Sequence, residues 1–272
     1  MAPSNEAQEA PRVSDSVAGF HNSRVLRVYH WNSNLFSFTI TRPLSFRFHS
    51  GQFVMIGLPS FPRPLLRAYS IASPFYAGEL EFLSIKVPGG QFTSLLQNIN
   101  PGDQVLLGRK TVGTLILDAL RPGRRLFFFA TGTGLAPFLS LARDPDTYDK
   151  YEELVLVHCV RYVSDLAYRD TLAGHFANDI LIHDLAINKF TYLPTVTRDD
   201  FPQRARVTYM IEHGIPSRNG TAQLLDPAND RVMICGSIAM IENCRSLLES
   251  RRFVEGSVDK PGEYVFERAF AT

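Results

Sequence analysis

The hydrophobic pattern of this chain changes its period part-way along, and that change constrains the fold more than any single residue does. Up to about residue 118 apolar and polar residues alternate, as in Phe36-Ser37-Phe38-Thr39-Ile40 and again in Phe46-Arg47-Phe48-His49. Alternation sends successive side chains to opposite faces of a strand, so each run predicts a half-buried antiparallel strand. Turn residues separate the runs: Arg42-Pro43, Ser50-Gly51, residues 59–64, Ala77-Gly78, Pro88-Gly89-Gly90 and Pro101-Gly102-Asp103. Six or so short strands punctuated in this way predict a small antiparallel barrel. After Leu120-Arg121-Pro122-Gly123-Arg124 the pattern is different. Leu126–Ala130, Leu154–Val157 and Val232–Cys235 are apolar at every position, as strands covered on both faces must be. Helical candidates lie around and between them at Pro137–Arg143, Ser164–Phe176 and Ile238–Ser250. Alternating β and α units predict a parallel, Rossmann-like sheet with helices on both faces.

The expectation is therefore a two-domain chain: residues 17–118 an antiparallel β-barrel, residues 119–272 an α/β domain. Its 272 residues suit two domains of ordinary size, and an apolar content of 45% supports two cores. Residues 1–16 carry Glu6, Glu9 and Asp15 without an apolar segment, which argues against a signal or transit peptide and for a flexible tail. A formal net charge of +1 advertises no polyanion-binding face, so nucleic acid is not an expected partner. No apolar run approaches the length of a membrane span, so membrane insertion is not expected either. Cys159, Cys235 and Cys244 are too few and too scattered for an iron–sulfur ligand set, and no metal site is expected. Three cysteines without a signal peptide read as reduced thiols in a cytoplasmic protein.

The chemistry concentrates in short segments. In an extended Arg67-Ala68-Tyr69-Ser70, Arg67 and Tyr69 project to one side, Ala68 and Ser70 to the other. A guanidinium can fork onto phosphate oxygens, a phenol can lie on a fused ring, and a hydroxyl can bond a ring heteroatom. Four residues of this kind also arise by chance; the order of the later segments gives them weight. Ile85-Lys86-Val87 comes next, with Gly90 and Thr93, then Thr131-Gly132-Thr133-Gly134-Leu135-Ala136-Pro137, then Cys235-Gly236-Ser237, then Glu267. The glycine-rich turn is not a dinucleotide fingerprint, because Pro137 stands where a small residue is required. Pro137 does have the preset φ of a first helical residue, which leaves the N–H groups before it free to face an anion. Arg161, Arg198 and Arg206 lie at or beyond strand ends, where ligands of open α/β sheets bind. His158 reads as a core histidine, with no metal-ligand spacing around it.

This series resembles the plant-type ferredoxin–NADP reductase family, and more closely its bacterial ferredoxin/flavodoxin–NADP(H) reductases, over roughly residues 20 to 272. The resemblance implies FAD in the barrel and NADP(H) on the α/β domain, with the chain's last residues returning to the flavin. It implies hydride transfer between NADPH and flavin N5, then one-electron exchange with ferredoxin or flavodoxin, a transient and acidic partner. Arg67, Ala68, Tyr69, Ser70, the Ile85-Lys86-Val87 backbone, Gly90 and Thr93 are then the FAD contacts. Thr131, Gly132, Thr133, Gly134 and Gly236 are NADP(H) contacts, as are Arg161 and Arg198 with Thr195 alongside; Arg206 is a further candidate. Ser70, Cys235 and Glu267 are the residues expected at the reacting atoms, with Cys235 beside the nicotinamide. Plant members end on a tyrosine stacked on the flavin two residues after the glutamate. Here Ala269 holds that position, a departure shared with a bacterial subgroup in which the following aromatic, Phe270 here, lies near the adenine. Two other uses remain open from the sequence: an NADH-linked flavoprotein reductase of an oxygenase or cytochrome system, and a flavin-binding sensor.

Overall fold

The computed structural model describes residues 17–58, 63–87, 89–218 and 220–269. The expected tail 1–16 and the expected adenine contact Phe270 lie outside the described residues. Six strands form the first sheet: β1 (Phe20–His30), β2 (Leu35–Thr41), β3 (Phe53–Leu58), β4 (Leu65–Ser70), β5 (Glu79–Ile85) and β6 (Gln104–Val112). Their order is β4-β3-β6-β1-β2-β5 and every neighbouring pair is antiparallel. An Ile71–Phe82 bridge and an Ala72 N–H bonded to the Glu81 carbonyl join the two edges just past β4, closing the sheet into a barrel. Inside it Phe36, Phe38, Ile40, Val54, Ile56, Phe82 and Leu107 form the core, plugged by Phe92 and Leu96 of helix α1 (Gln91–Leu96).

Two details of the barrel depart from the alternation rule. Phe46–His49 is not a strand. Phe46 and Phe48 still point into the barrel core, but the Phe46 carbonyl accepts from the Arg42 guanidinium at 3.0 Å instead of from a neighbouring strand. β2 is buried on both faces, including Ser37 and Thr39 on its polar face. That face lies against the second domain, where the Tyr168 phenol bonds to Ser37 and Leu35 joins the second domain's core.

The second sheet is parallel throughout, in the order β13-β12-β7-β8-β9. Its strands are β7 (Arg125–Thr131), β8 (Glu153–Val160), β9 (Phe190–Val196), β12 (Asp230–Gly236) and β13 (Tyr264–Arg268). Between α6 (Val207–His213) and β12 sits a minor hairpin of β10 (Ile215–Pro216) and β11 (Ala222–Gln223). α2 (Ala136–Leu141), α3 (Pro145–Lys150), α4 (Arg169–Ala173) and α5 (His183–Lys189) cover one face. α6 and α7 (Ile238–Ser250) cover the other. β9 gives no continuous apolar signal because it is an edge strand containing Pro194, whose missing N–H is tolerated only at an edge. The expected helix at Ser164–Phe176 is two pieces, a 3₁₀ turn at Val163–Asp165 and then α4. Tyr168 breaks it with φ of 59°. The helix expected from Pro137 to Arg143 begins one residue earlier and stops at Leu141. Among the described residues no helix is long and apolar enough to cross a membrane.

Candidate active site at the seam of two sheets

Parallel register sets the site. On the sheet, Cys235 lies beside Ala130 on one side and Glu267 on the other, so all three end their strands at one level. The turn after β7 packs directly on the end of β12. A Cβ at Gly134 would collide with the Cys235 carbonyl, so only glycine lets the two approach. The Thr131 hydroxyl accepts from Ser237 N–H at 3.1 Å, and Ala269 N–H donates to the Gly236 carbonyl at 3.1 Å. Three segments expected at the nicotinamide are therefore joined at one edge.

The barrel reaches the same edge. Phe53 pairs with Ser70 on β4 and with Val112 on β6, and Gly113 follows directly. The Glu267 carboxylate crosses the domain boundary, accepting from the backbone N–H groups of Thr114 and Leu115. A Cβ on Gly113, where φ is 141°, would stand 2.7 Å from Glu267 Oε1. Glu267 and Cys235 thus lie side by side at the seam, and Ser70 lies two strands away from the Val112–Gly113 corner on the same sheet. Gly113 and Thr114, which the sequence pattern did not single out, make the join; a glycine ending an alternating strand was their only signal.

Burial sets the protonation of this group. It pushes the Glu267 carboxyl up to about 7, against the lowering effect of the Thr114 and Leu115 donors. It drives the Cys235 thiol well above its ordinary range, and the Glu267 charge adds to that. Cys235 is therefore a neutral thiol, unlike the exposed, low-pKa thiolate of a nucleophilic cysteine. His158 is 1% exposed and burial lowers it to about 4. Its Nδ1 meets the Tyr192 hydroxyl at 3.3 Å, which fits the core role read from sequence.

On the barrel, the Tyr69 ring packs on the core and its hydroxyl shares a 2.8 Å hydrogen bond with Ser84, which fixes the ring plane. Burial raises its pKa to about 12, so it remains a neutral phenol. The Arg67 guanidinium touches only the Leu66 carbonyl and pairs with no carboxylate among the described residues. The Ser70 hydroxyl makes no hydrogen bond to a described residue. The Thr93 hydroxyl is engaged by the Val87 N–H and carbonyl, closing the loop from Ile85-Lys86-Val87 through Gly90. A cation and a hydroxyl without side-chain partners among the described residues, beside a fixed aromatic, suit a phosphorylated planar group such as FAD.

On the α/β domain, Thr197 N–H bonds to the Val160 carbonyl and Arg198 N–H to the Arg161 carbonyl, binding the ends of β8 and β9 into one ledge. Asp199 stiffens it by accepting from Val163 N–H at 2.7 Å. Arg198 stands over the Tyr162 ring, 5.8 Å from its centroid, and Nη1 lies 3.3 Å from the hydroxyl. Tyr162 was not singled out in the sequence. Arg161 and Arg206 are exposed and their side chains have no partner among the described residues. Thr195 is fully buried inside β9 beneath the ledge, and its hydroxyl and that of Thr133 have no hydrogen-bond partner among the described residues. An exposed guanidinium over an aromatic, with the exposed Arg161 next to that aromatic in sequence, suits a phosphorylated nucleotide.

Comparison with known proteins agrees with this geometry. Residues 26–109 match the oxidoreductase FAD-binding domain family and residues 128–246 the oxidoreductase NAD-binding domain family. The chain is 46% identical to the ferredoxin–NADP reductase of Pseudomonas aeruginosa, covering 93% of this chain and 99% of that protein. It is 47% identical to the flavodoxin/ferredoxin–NADP reductase of Rhodobacter capsulatus, covering 90% and 92%. A ferredoxin–NADP⁺ reductase from Neisseria gonorrhoeae, solved with bound FAD and NADP, superposes with a TM-score of 0.83 at 27% identity, over 93% of this chain and all of that one.

Proposed function

The chain belongs to the ferredoxin–NADP reductase family, and we propose how its residues divide the work of an FAD-dependent, NADP(H)-linked reductase. FAD, when bound, supplies the conversion between a two-electron hydride and single electrons. The remaining tasks fall to the chain, with residues 17–118 as the flavin domain and 119–272 as the NADP(H) domain. Arg67 pairs with flavin phosphates, helped by the backbone N–H groups that follow Gly90 up to Thr93, Gly90's own being donated to the Val87 carbonyl at 3.0 Å. Tyr69 presents its fixed ring to the isoalloxazine, the Ile85-Lys86-Val87 backbone runs along it, and Ala68 keeps the strand slim. Ala269 leaves the position opposite Tyr69 open, and Phe270 serves the adenine.

Thr131, Gly132, Thr133, Gly134 and Gly236 form the rim for the nicotinamide end of NADP(H). Arg161 and Arg198 take the 2′-phosphate, with Arg206 as a further cation and Thr195 supporting the ledge from below. Cys235 and Glu267 orient the nicotinamide towards the atom that Ser70 addresses, a task of alignment in which proximity carries most of the rate. With a midpoint at about 7, the Glu267 carboxyl can hold a proton at this seam at neutral pH. Ferredoxin is the partner that the family's activity requires; we infer further that flavodoxin substitutes for it and that both are acidic and transient. Three free, buried thiols favour a reducing compartment, hence the cytoplasm.

The observation that carries this reading is the Glu267 carboxylate bound across the boundary to Thr114, which joins the α/β strand ends to the sheet bearing Ser70. Its test is the flavin itself. The purified protein should release FAD on denaturation and be bleached by NADPH far faster than by NADH under anaerobic conditions. Release of FMN alone would remove the adenine role of Phe270 and the assignment with it.

A further inference from the structure

The strand that carries Tyr69 and Ser70 runs within two residues into Ala72-Ser73, and the turn Gly132–Leu135 runs directly into α2. These two segments grip one another. Ser140 Oγ donates to the Ser73 carbonyl at 2.7 Å, and Arg143 Nη2 donates to the Ala72 carbonyl at 2.6 Å. The same guanidinium faces Glu81 Oε2 at 3.6 Å, while the Tyr168 hydroxyl donates to Glu81 Oε1 at 2.8 Å. Glu81 is itself locked to the gripped segment. Its N–H donates to Ser73 Oγ at 3.1 Å and its carbonyl accepts from Ala72 N–H at 2.8 Å.

Tyr168 holds its place in a left-handed backbone conformation, φ 59° and ψ 14°, which a bulky residue adopts only under constraint. Its ring lies against Trp31 of the barrel, 4.5 Å between centroids. Interfaces between domains of one chain are ordinarily polar and permit relative motion. Here polar groups of the second domain hold the barrel within three residues of Ser70, at the end of the helix that starts from the glycine-rich turn.

We propose that Arg143, with Ser140, Glu81 and Tyr168, is a positioning clasp that sets the separation of the two reacting rings. The inference rests on the reading that Ser70 faces the flavin and Gly132–Leu135 the nicotinamide. The clasp touches neither ring; it acts through the two segments that bear them. Loosening it therefore slows hydride transfer without weakening either cofactor.

The test compares wild type with Arg143→Met, which keeps the length and removes the donors, Arg143→Lys, which restores one charge, and Tyr168→Phe. Anaerobic mixing with NADPH measures the hydride step. Oxidation of photoreduced flavin by ferricyanide measures a reaction that needs no nicotinamide. Acrylamide quenching of Trp31, the chain's single tryptophan, reports the junction in cofactor-free protein. Arg143→Met should slow the hydride step by about 10- to 100-fold, the cost of an ångström-scale misplacement. NADPH affinity and the ferricyanide rate should stay near wild type, Trp31 should become more accessible, and Arg143→Lys should recover part of the rate. Should Arg143→Met fail to fold, Tyr168→Phe carries the same expectations at smaller amplitude. Wild-type hydride transfer in the folded variants, or a loss shared equally by the ferricyanide reaction, overturns the clasp. A wild-type flavin that NADPH does not bleach overturns the reading beneath it, and is told apart because no variant is needed to see it.

Discussion

At the scale of single residues, Glu267 shows how burial and hydrogen bonding compete. Its donors favour the carboxylate, burial favours the acid, and burial wins, moving the midpoint from 4.5 to about 7. The folded chain therefore binds this proton more tightly than the unfolded chain. The resulting stability is fully present below about pH 4.5 and is lost as pH rises through about 7, a change on the order of 3 kcal/mol. His158 works in the opposite sense: lowered to about 4, it gains stability as pH rises towards 6.5. The two nearly offset, so the difference between wild type and Glu267→Gln isolates the carboxyl. Denaturant titrations should show the variant gaining on wild type as pH rises from 4.5 to 7, and parallel curves would mean that Glu267 titrates normally. Arg198 offers a cleaner binding test. A hydrogen bond to a charged group contributes roughly 1.5–3 kcal/mol, so Arg198→Ala should weaken NADPH by about 10- to 150-fold in calorimetric titration and leave NADH nearly unchanged. Equal losses for both would make the arginine structural. Cys235→Ala should slow flavin bleaching by NADPH by up to about 100-fold with little change in affinity. An unchanged rate would mean that the thiol only fills space.

At the scale of elements, the sheet ends divide the labour. The C-terminal ends of the parallel strands hold the proposed site, and the opposite ends hold a structural ion pair. Asp230, fully buried, accepts from Arg125 Nε at 2.7 Å and Nη2 at 2.8 Å and from Asp226 N–H at 2.8 Å. Removing one partner of such a pair strands a charge, so Asp230→Ala should lower stability by about 3–5 kcal/mol while sparing hydride transfer in the folded fraction. Thermal melts read beside single-turnover rates separate the two effects. The elements also show what sequence can carry. Strands apolar at every position and the α7 periodicity were legible because burial alone dictates them. β9 was not, because an edge strand with a proline has no such signature. Phe46–His49 misled because inward aromatics look the same whether their backbone bonds a strand or, as here, the Arg42 side chain. The Tyr168 break in the expected helix coincides with its contacts to Glu81 and Trp31 of the other domain, beyond the reach of local pattern.

At the scale of the whole molecule, barrel, parallel sheet and family were all legible, each from a pattern contained within one domain. The short motifs lie at strand ends and turns, which glycine, proline and charge mark locally. What makes the site a site is the seam, and the seam was not legible: Thr114 on Glu267, Arg143 on Ala72 and Tyr168 on Glu81 each join residues from different domains. The central claim is that Cys235 and Glu267 align the nicotinamide at this seam while Arg161 and Arg198 select the phosphorylated cofactor. Anaerobic stopped-flow reduction of the FAD-loaded protein tests it most directly, with NADPH and NADH across wild type, Cys235→Ala, Glu267→Gln and Arg198→Ala. The account predicts that the seam variants lose maximal hydride rate at nearly unchanged NADPH affinity, whereas Arg198→Ala loses NADPH affinity at nearly unchanged maximal rate. Seam variants that lose affinity alone, or an Arg198 variant that slows both nicotinamides equally at saturation, would contradict it.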